Sequence, residues 1–231
     1  VERRFALKKE LADTATEKAK IMLVDDHAML RHGMATLINL ESDLEVIAEA
    51  GDGAEALAIL KQKTPVDLVL LDVTLKTVSG LEVIKSMHAD NPSLRVLFVS
   101  MHDESVYAER ALRAGAQGYI MKQEPGEVLV AAIHEVLKGN IYLSKQMQEK
   151  LLKRIATGGS EPEQLINTLT PSEFEILHLI GQGHSSQEIA NLLCRSIKTI
   201  ETHRFNIRIK LNLKDGADLI RYAARWVSEN H

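Results

Sequence analysis

The chain has 231 residues, 45% of them hydrophobic and 26% charged, which is the composition of an ordinary globular protein of about two domains. A net charge of −4 excludes a general polyanion binder, so any surface that meets nucleic acid has to be local. The single cysteine, Cys194, rules out an intramolecular disulfide and any multi-cysteine metal site, and it reads as a packing residue.

The first nineteen residues, VERRFALKKELADTATEKA, lack the apolar centre of a signal peptide and form an extension with no assignable role. No apolar run approaches the ~18 residues of a membrane span. A cytoplasmic protein with no membrane partner is expected. From Lys20 to about Gly139, five β-rich runs (IMLV, LEVIAEA, DLVLL, RVLFVS and GYIM) alternate with helical patterns. Leu30, Met34, Leu37 and Ile38 make one helical stripe, and Leu129, Ala132, Ile133, Val136 and Leu137 make another. DLVLL and RVLFVS are apolar on both faces, as strands are when helices cover both sides of a parallel sheet. The expected fold of 20–139 is therefore an α/β doubly wound domain with a parallel five-stranded sheet.

After Gly139 the strands stop. Residues 140–165 read as a linker helix, Ser144 to Ile155, followed by a hinge, TGGSEP. From 166 to 231 the pattern is all helical. Thr170, Pro171, Ser172 and Glu173 spell a capping box with proline at the first helical position. The helix it opens stops at Gly181 and Gly183. A short helix from Ser186 to Leu193, the tight connection Cys194, Arg195 and Ser196, and a longer helix from Ile197 to Leu211 make a helix-turn-helix. A last segment with Leu219, Ala223, Trp226 and Val227 on one face completes an all-α four-helix domain.

Ligands of a parallel sheet bind at the carboxyl edge of its strands. The residues ending the strands are Asp25 and Asp26, Asp72, Ser100, and Lys122. Three crowded carboxylates raise one another's pKa unless a cation compensates, and Mg²⁺, a hard ion that keeps waters, suits them. Each aspartate alone reads as a strand end or a helix cap; five polar groups of these types on four strands read as a site. A turnover phosphatase with an aspartyl nucleophile usually has a second acid two residues on. Thr74 stands there instead, so a turnover enzyme of that kind is not expected.

The pair of aspartates in strand one, LLD with Gly80 eight residues after Asp72, FVS, and AGAQGYIMK together resemble the response-regulator receiver domain over 20–139. The resemblance implies that Asp72 accepts a phosphoryl group from a cognate histidine kinase or a small phosphodonor. Asp26 and Asp72, with the Thr74 carbonyl, would hold Mg²⁺, and Asp25 would act through water. Lys122 would pair with the phosphoryl group, Ser100 would hydrogen-bond it, and Tyr119 would change rotamer. The chain departs from the family at Lys76 and at Gln123, where proline is common; a solvated loop lysine and a trans bond after Lys122 are expected.

Between Arg195 and Lys214 six basic residues face one acid, Glu201. The segment LTPSE through IKL, covering about Leu169 to Trp226, resembles the LuxR-type helix-turn-helix of NarL/FixJ-type regulators. By that resemblance the helix from Ile197 to Leu211 reads double-stranded DNA. Ile200, Ile207 and Leu211 would face the core, Glu201, Thr202, Phe205 and Arg208 the bases, and Lys198, Thr199 and Arg204 the phosphates. Phe205 reads equally as a thymine-methyl contact or as packing on a neighbouring helix; His203 reads as a packing or phosphate-contacting residue. The whole is expected to be a two-component transcription regulator in which phosphorylation drives homodimerisation and DNA binding. The alternative is a phosphorelay regulator whose helical domain grips protein rather than DNA.

Overall fold

The computed structural model describes residues 17–75, 78–157, 165–166 and 168–230. Lys76, the hinge residues 158–162 and residues 1–16 of the extension lie outside the described residues.

Strands β1 (Ala19–Val24), β2 (Leu44–Ala50), β3 (Leu68–Leu71), β4 (Arg95–Ser100) and β5 (Gly118–Met121) pair in parallel in the order β2-β1-β3-β4-β5. Each is followed by a helix: α1 (Ala28–Asn39), α2 (Gly53–Lys61), α3 (Gly80–Asp90), α4 (Glu104–Arg113) and α5 (Gly126–Leu137). The alternation of side chains along a strand divides the core into two layers. Met22, Val69, Leu71, Val96 and Phe98 pack with α3 and α4 on one face. Ile21, Leu23, Leu68, Leu70 and Leu97 pack with α1 and α5 on the other. The sheet grows outward in opposite directions from β1, so the carboxyl ends of β1 and β3 open a crevice between diverging helices.

β1 begins at Ala19, inside the stretch set aside from sequence as an extension, because the Ala19 amide donates to the Asp43 carbonyl at 2.8 Å. The stretch after α5 is anchored at its start. The Tyr119 amide donates to the Tyr142 carbonyl at 3.0 Å and the Ser144 amide to Glu104 at 2.8 Å, which ties 142–144 to the β5 edge and to α4. Helix α6 (Lys145–Thr157) starts there and buries Met147.

Further helices follow: α7 (Pro171–Gly181), α8 (Ser186–Leu192), α9 (Ile197–Lys210) and α10 (Gly216–Asn230). Both bonds of the Thr170–Glu173 capping box form, and a second box, Ser185–Glu188, opens α8. Gly183 takes φ +93° where α7 ends. Cys194 is a correction: it is exposed, at φ +49° in the turn between α8 and α9, so it sets the turn and packs nothing. Ile200 and Ile207 on α9 and Leu219 and Ala223 on α10 are fully buried. Among the described residues no helix is long and apolar enough to cross a membrane.

The two domains dock, which the sequence reading did not foresee. Tyr107 of α4 meets Phe174 of α7 edge to face at 5.3 Å, and Phe174 meets Trp226 of α10 at 5.2 Å. The Arg110 guanidinium lies 3.6 Å over the Phe174 ring and donates to the carbonyls of Ile166 and Leu169. Ser172 donates to Glu82 of α3 at 3.3 Å. Burial pulls Arg110 down to about 10, yet it stays charged at neutral pH.

Candidate functional site

Parallel pairing brings the β1, β3, β4 and β5 ends to one edge, and five predicted side chains arrive there together. Asp25 and Asp72 are 1% and 5% exposed, so both carboxylates are out of bulk water. The Lys122 ammonium lies between them, 2.6 Å from Asp72 Oδ2 and 2.7 Å from Asp25 Oδ2. Burial alone depresses a lysine; here Asp72 and Asp25 outweigh it and hold Lys122 above its usual range. Asp72 is raised to about 6. Its main cause is burial, opposed by Lys122, with the charge of Asp25 a smaller contribution, so carboxylate crowding was the lesser half of the sequence argument.

Gly80 is required beside this group. A Cβ there would come within 2.0 Å of the Asp72 carbonyl oxygen, so only glycine lets α3 start against the end of β3. The Thr74 amide donates to Asp72 Oδ1 at 3.3 Å, and the Thr74 hydroxyl lies 2.6 Å from His102 Nε2. Ser100 is fully buried, its Oγ accepting from the His102 amide at 3.2 Å. The Tyr119 hydroxyl points to the same loop and donates to the His102 carbonyl at 2.8 Å; burial raises its pKa. Ser100 and Tyr119 thus both terminate on the loop after β4, and neither touches Asp72 through a hydrogen bond among the described residues.

Asp25, Asp26, His27 and Asp72 offer ligand atoms all within 4.8 Å of one another. Three carboxylates against one ammonium leave a net negative site, the donor chemistry that a hard divalent cation compensates. His27 was missed from sequence, although it directly follows the two aspartates. Its Nδ1 is 2.9 Å from Asp26 Oδ1 and its amide donates to Asp25 at 2.8 Å.

On the second domain, Ser196 caps α9 by accepting from the Thr199 amide at 3.1 Å. Lys198, Glu201 and Thr202 are exposed and Thr199 is half-buried. Phe205 is 56% exposed, which decides against its packing on a neighbouring helix in this arrangement. Arg204 has a side chain only 16% exposed, 3.8 Å from Glu201. Arg208 donates to the Lys214 carbonyl at 2.9 Å. His203 is half-buried, and burial, with Arg195 nearby, pulls its pKa down.

The sequence profile described as "Response regulator receiver domain" matches residues 21–134, and that described as "Bacterial regulatory proteins, luxR family" matches 167–223. The oxygen regulatory protein NreC of Staphylococcus carnosus is 35% identical over 211 residues, 89% of this chain and 97% of NreC. The chain belongs to the LuxR-type response regulators. A LuxR-family two-component response regulator from an Aurantimonas species is similar in structure at a TM-score of 0.56, with 34% identity over 61% of this chain and 99% of that one. RcsB of Salmonella enterica, solved on a promoter with a phosphomimetic, gives a TM-score of 0.60 with 25% identity over 90% of this chain and 100% of that one. The regulator is thus a two-component response regulator with a LuxR-type DNA-binding domain. A receiver domain implies a kinase partner, and a LuxR-type domain implies DNA.

Proposed function

We propose that Asp72 accepts a phosphoryl group from a cognate histidine kinase and that its charge state controls homodimerisation and sequence-specific DNA binding in the cytoplasm. The observation that carries this is the position of Lys122, shared between Asp72 and Asp25 at the open edge of the sheet. Asp25, Asp26 and Asp72, with the Thr74 carbonyl, fit Mg²⁺. When bound, that ion supplies charge neutralisation to the carboxylates and to a phosphoryl oxygen. Asp72 presents its carboxylate with Oδ1 accepting from the Thr74 amide. Lys122 follows the new charge, since an ammonium already within 2.6 Å of the carboxylate needs only a small shift to reach a phosphoryl oxygen. Ser100 turns its hydroxyl to the phosphoryl group, and Tyr119, bonded to the same loop, changes rotamer with it. The chain accepts a phosphoryl group and does not turn over as an enzyme.

We assign the receiver domain to 20–139, to which Ala19 adds the first residue of β1, the linker helix and hinge to 140–165 and the DNA-binding domain to 166–231, with the rest of 1–19 as an extension. On DNA, Lys198, Thr199 and Arg204 hold phosphates while Glu201, Thr202, Phe205 and Arg208 face the bases of the major groove. Exposure of Phe205 and Thr202 supports that division. Arg204 and Arg208 have to leave their internal partners to take part. Two copies on half-sites about one helical turn apart double the phosphate contacts. Selection of bound DNA from a random pool, with and without a phosphodonor, tests the reading: a shared motif enriched more strongly with the donor is expected. No enrichment in either arm would instead favour a protein partner for the helical domain.

A further inference from the structure

Where α7 closes on α3 and α4 it leaves a crevice of about 140 Å³. Three cations line it on the receiver side, Lys85 of α3 with Arg110 and Arg113 of α4. Leu81 walls it on that side, and Leu169 and Pro171, where α7 opens, close it on the other. No carboxylate among the described residues lines the crevice. Arg113 shares its charge with Glu109, its Nη2 lying 2.8 Å from Oε1. The other two cations face no anion there. Arg110 uses two of its donors on the carbonyls of Leu169, at 3.2 Å, and Ile166, and the ring it covers is neutral. A guanidinium has five donors, so three remain. Lys85 is exposed and joins no ion pair among the described residues. Burial first, and Arg113 to a smaller extent, act against the charge on Arg110.

We propose that this crevice binds a small, doubly charged oxyanion of the phosphate class, and that the bound anion holds the two domains together. The crevice has the volume of about four or five waters. That suits one tetrahedral oxyanion with a water beside it and is too small for a nucleotide, whose pockets run to several hundred Å³. Two cations without an anion and a third that is shared are balanced by two negative charges rather than one. An arginine fork takes two oxygens of such an ion, and the Lys85 ammonium takes a third. Leu81, Leu169 and Pro171 supply apolar walls, and a drier setting strengthens each of these bonds. The cations belong to the receiver and the cover to the DNA-binding domain, so the site is whole only while the two are docked. An anion that binds the docked form alone raises the docking constant by the factor 1 + [anion]/Kd. The phosphoacceptor has its own cation, Lys122, and neither Lys85 nor Arg113 takes part in the chemistry at Asp72.

The test is a calorimetric titration of the full chain with inorganic phosphate, with divalent cations chelated and ionic strength held constant with chloride. One saturable phosphate per chain is expected, with sulfate equivalent and the monoanion acetate at least about tenfold weaker. Lys85→Gln, at an exposed position, is expected to weaken phosphate at least about tenfold, and Lys85→Arg to retain it. Loss of binding in Lys198→Ala with Lys85→Gln unaffected overturns the proposal by placing the anion on α9. Heat that never saturates, or that chloride at equal ionic strength reproduces, overturns it as well. The hold on the domains is read as DNA affinity by fluorescence anisotropy. Phosphate at about ten times its Kd is expected to lower the affinity of the parent chain for its selected DNA about tenfold against a chloride control of equal ionic strength. In Lys85→Gln the same concentration is expected to lower it less than about twofold. An equal fall in both chains, or none in the parent, overturns the coupling of the anion to docking.

Discussion

Two buried cations organise this molecule, and they are satisfied in different ways. At the sheet edge Lys122 is met by full charges, with Asp72 at 2.6 Å and Asp25 at 2.7 Å. At the domain interface Arg110 is held instead by the carbonyls of Ile166 and Leu169 and by the face of Phe174. The first arrangement stores a charge imbalance that a phosphoryl group and a divalent cation can complete. The second is neutral in its partners and strong only while two surfaces stay together. Chemistry belongs at the first and reversible docking at the second, because separating Arg110 from carbonyls and a ring strands no anion in a buried place.

The largest effect expected from breaking this contrast is at Asp72. Asp72→Asn should reduce phosphoryl incorporation from acetyl phosphate by more than about 100-fold, read on phosphate-affinity gels, because an amide cannot attack phosphorus as a carboxylate does. Retained incorporation at another side chain would remove the sheet edge from its role.

The same substitution tests the charge imbalance through stability. Asp72 is raised to about 6 from its ordinary 3.8, so the native state binds this proton more tightly than the unfolded chain. Its contribution is fully favourable below pH 3.8 and is lost as pH rises through about 6. With divalent cations chelated, Asp72→Asn is therefore expected to stabilise the fold by about 1–3 kcal/mol at pH 8. The gain should shrink between pH 6 and 4, and denaturant titrations across that range would show it. A gain independent of pH would mean that the strain is not electrostatic.

At the interface, Arg110→Ala is expected to weaken docking by about 1–2 kcal/mol, through loss of the ring contact and two carbonyl bonds. The unphosphorylated regulator should then bind its selected DNA roughly tenfold more tightly, measured by fluorescence anisotropy. An unchanged basal affinity would separate the interface from control of α9. The smallest effect concerns α9 itself. Lys198→Ala should lower the slope of log affinity against log salt by about 1 without altering sequence preference. A change in preference with no change of slope would move Lys198 from the phosphates to the bases.

How far the sequence reached follows the same contrast. The carboxylate site was legible because strand ends are topologically equivalent: once IMLV, DLVLL, RVLFVS and GYIM are parallel strands, Asp25, Asp72, Ser100 and Lys122 have to meet. The core face of α9 was legible from the spacing of Ile200, Ile207 and Leu211, all buried as expected. Cys194 was misread because composition says that cysteines are usually inside, whereas a left-handed turn is decided by the two helices it joins. His27 was passed over because a histidine after a strand end carries no spacing signal, only adjacency.

The domain interface had no signature at all. Tyr107, Arg110, Ser172 and Phe174 read locally as ordinary residues of amphipathic helices, and nothing in a helical period says which of two exposed faces will be covered by another domain. The sequence by itself determined the elements, the doubly wound class of the parallel sheet, the polar cluster at the sheet edge and the helix-turn-helix, since each rests on a local period or on a topological rule. Only the tertiary structure decided that α7 closes on α3 and α4, with Ser172 bonded to Glu82, and that burial more than crowding raises Asp72. Those depend on distances between residues far apart along the chain, which no periodicity encodes.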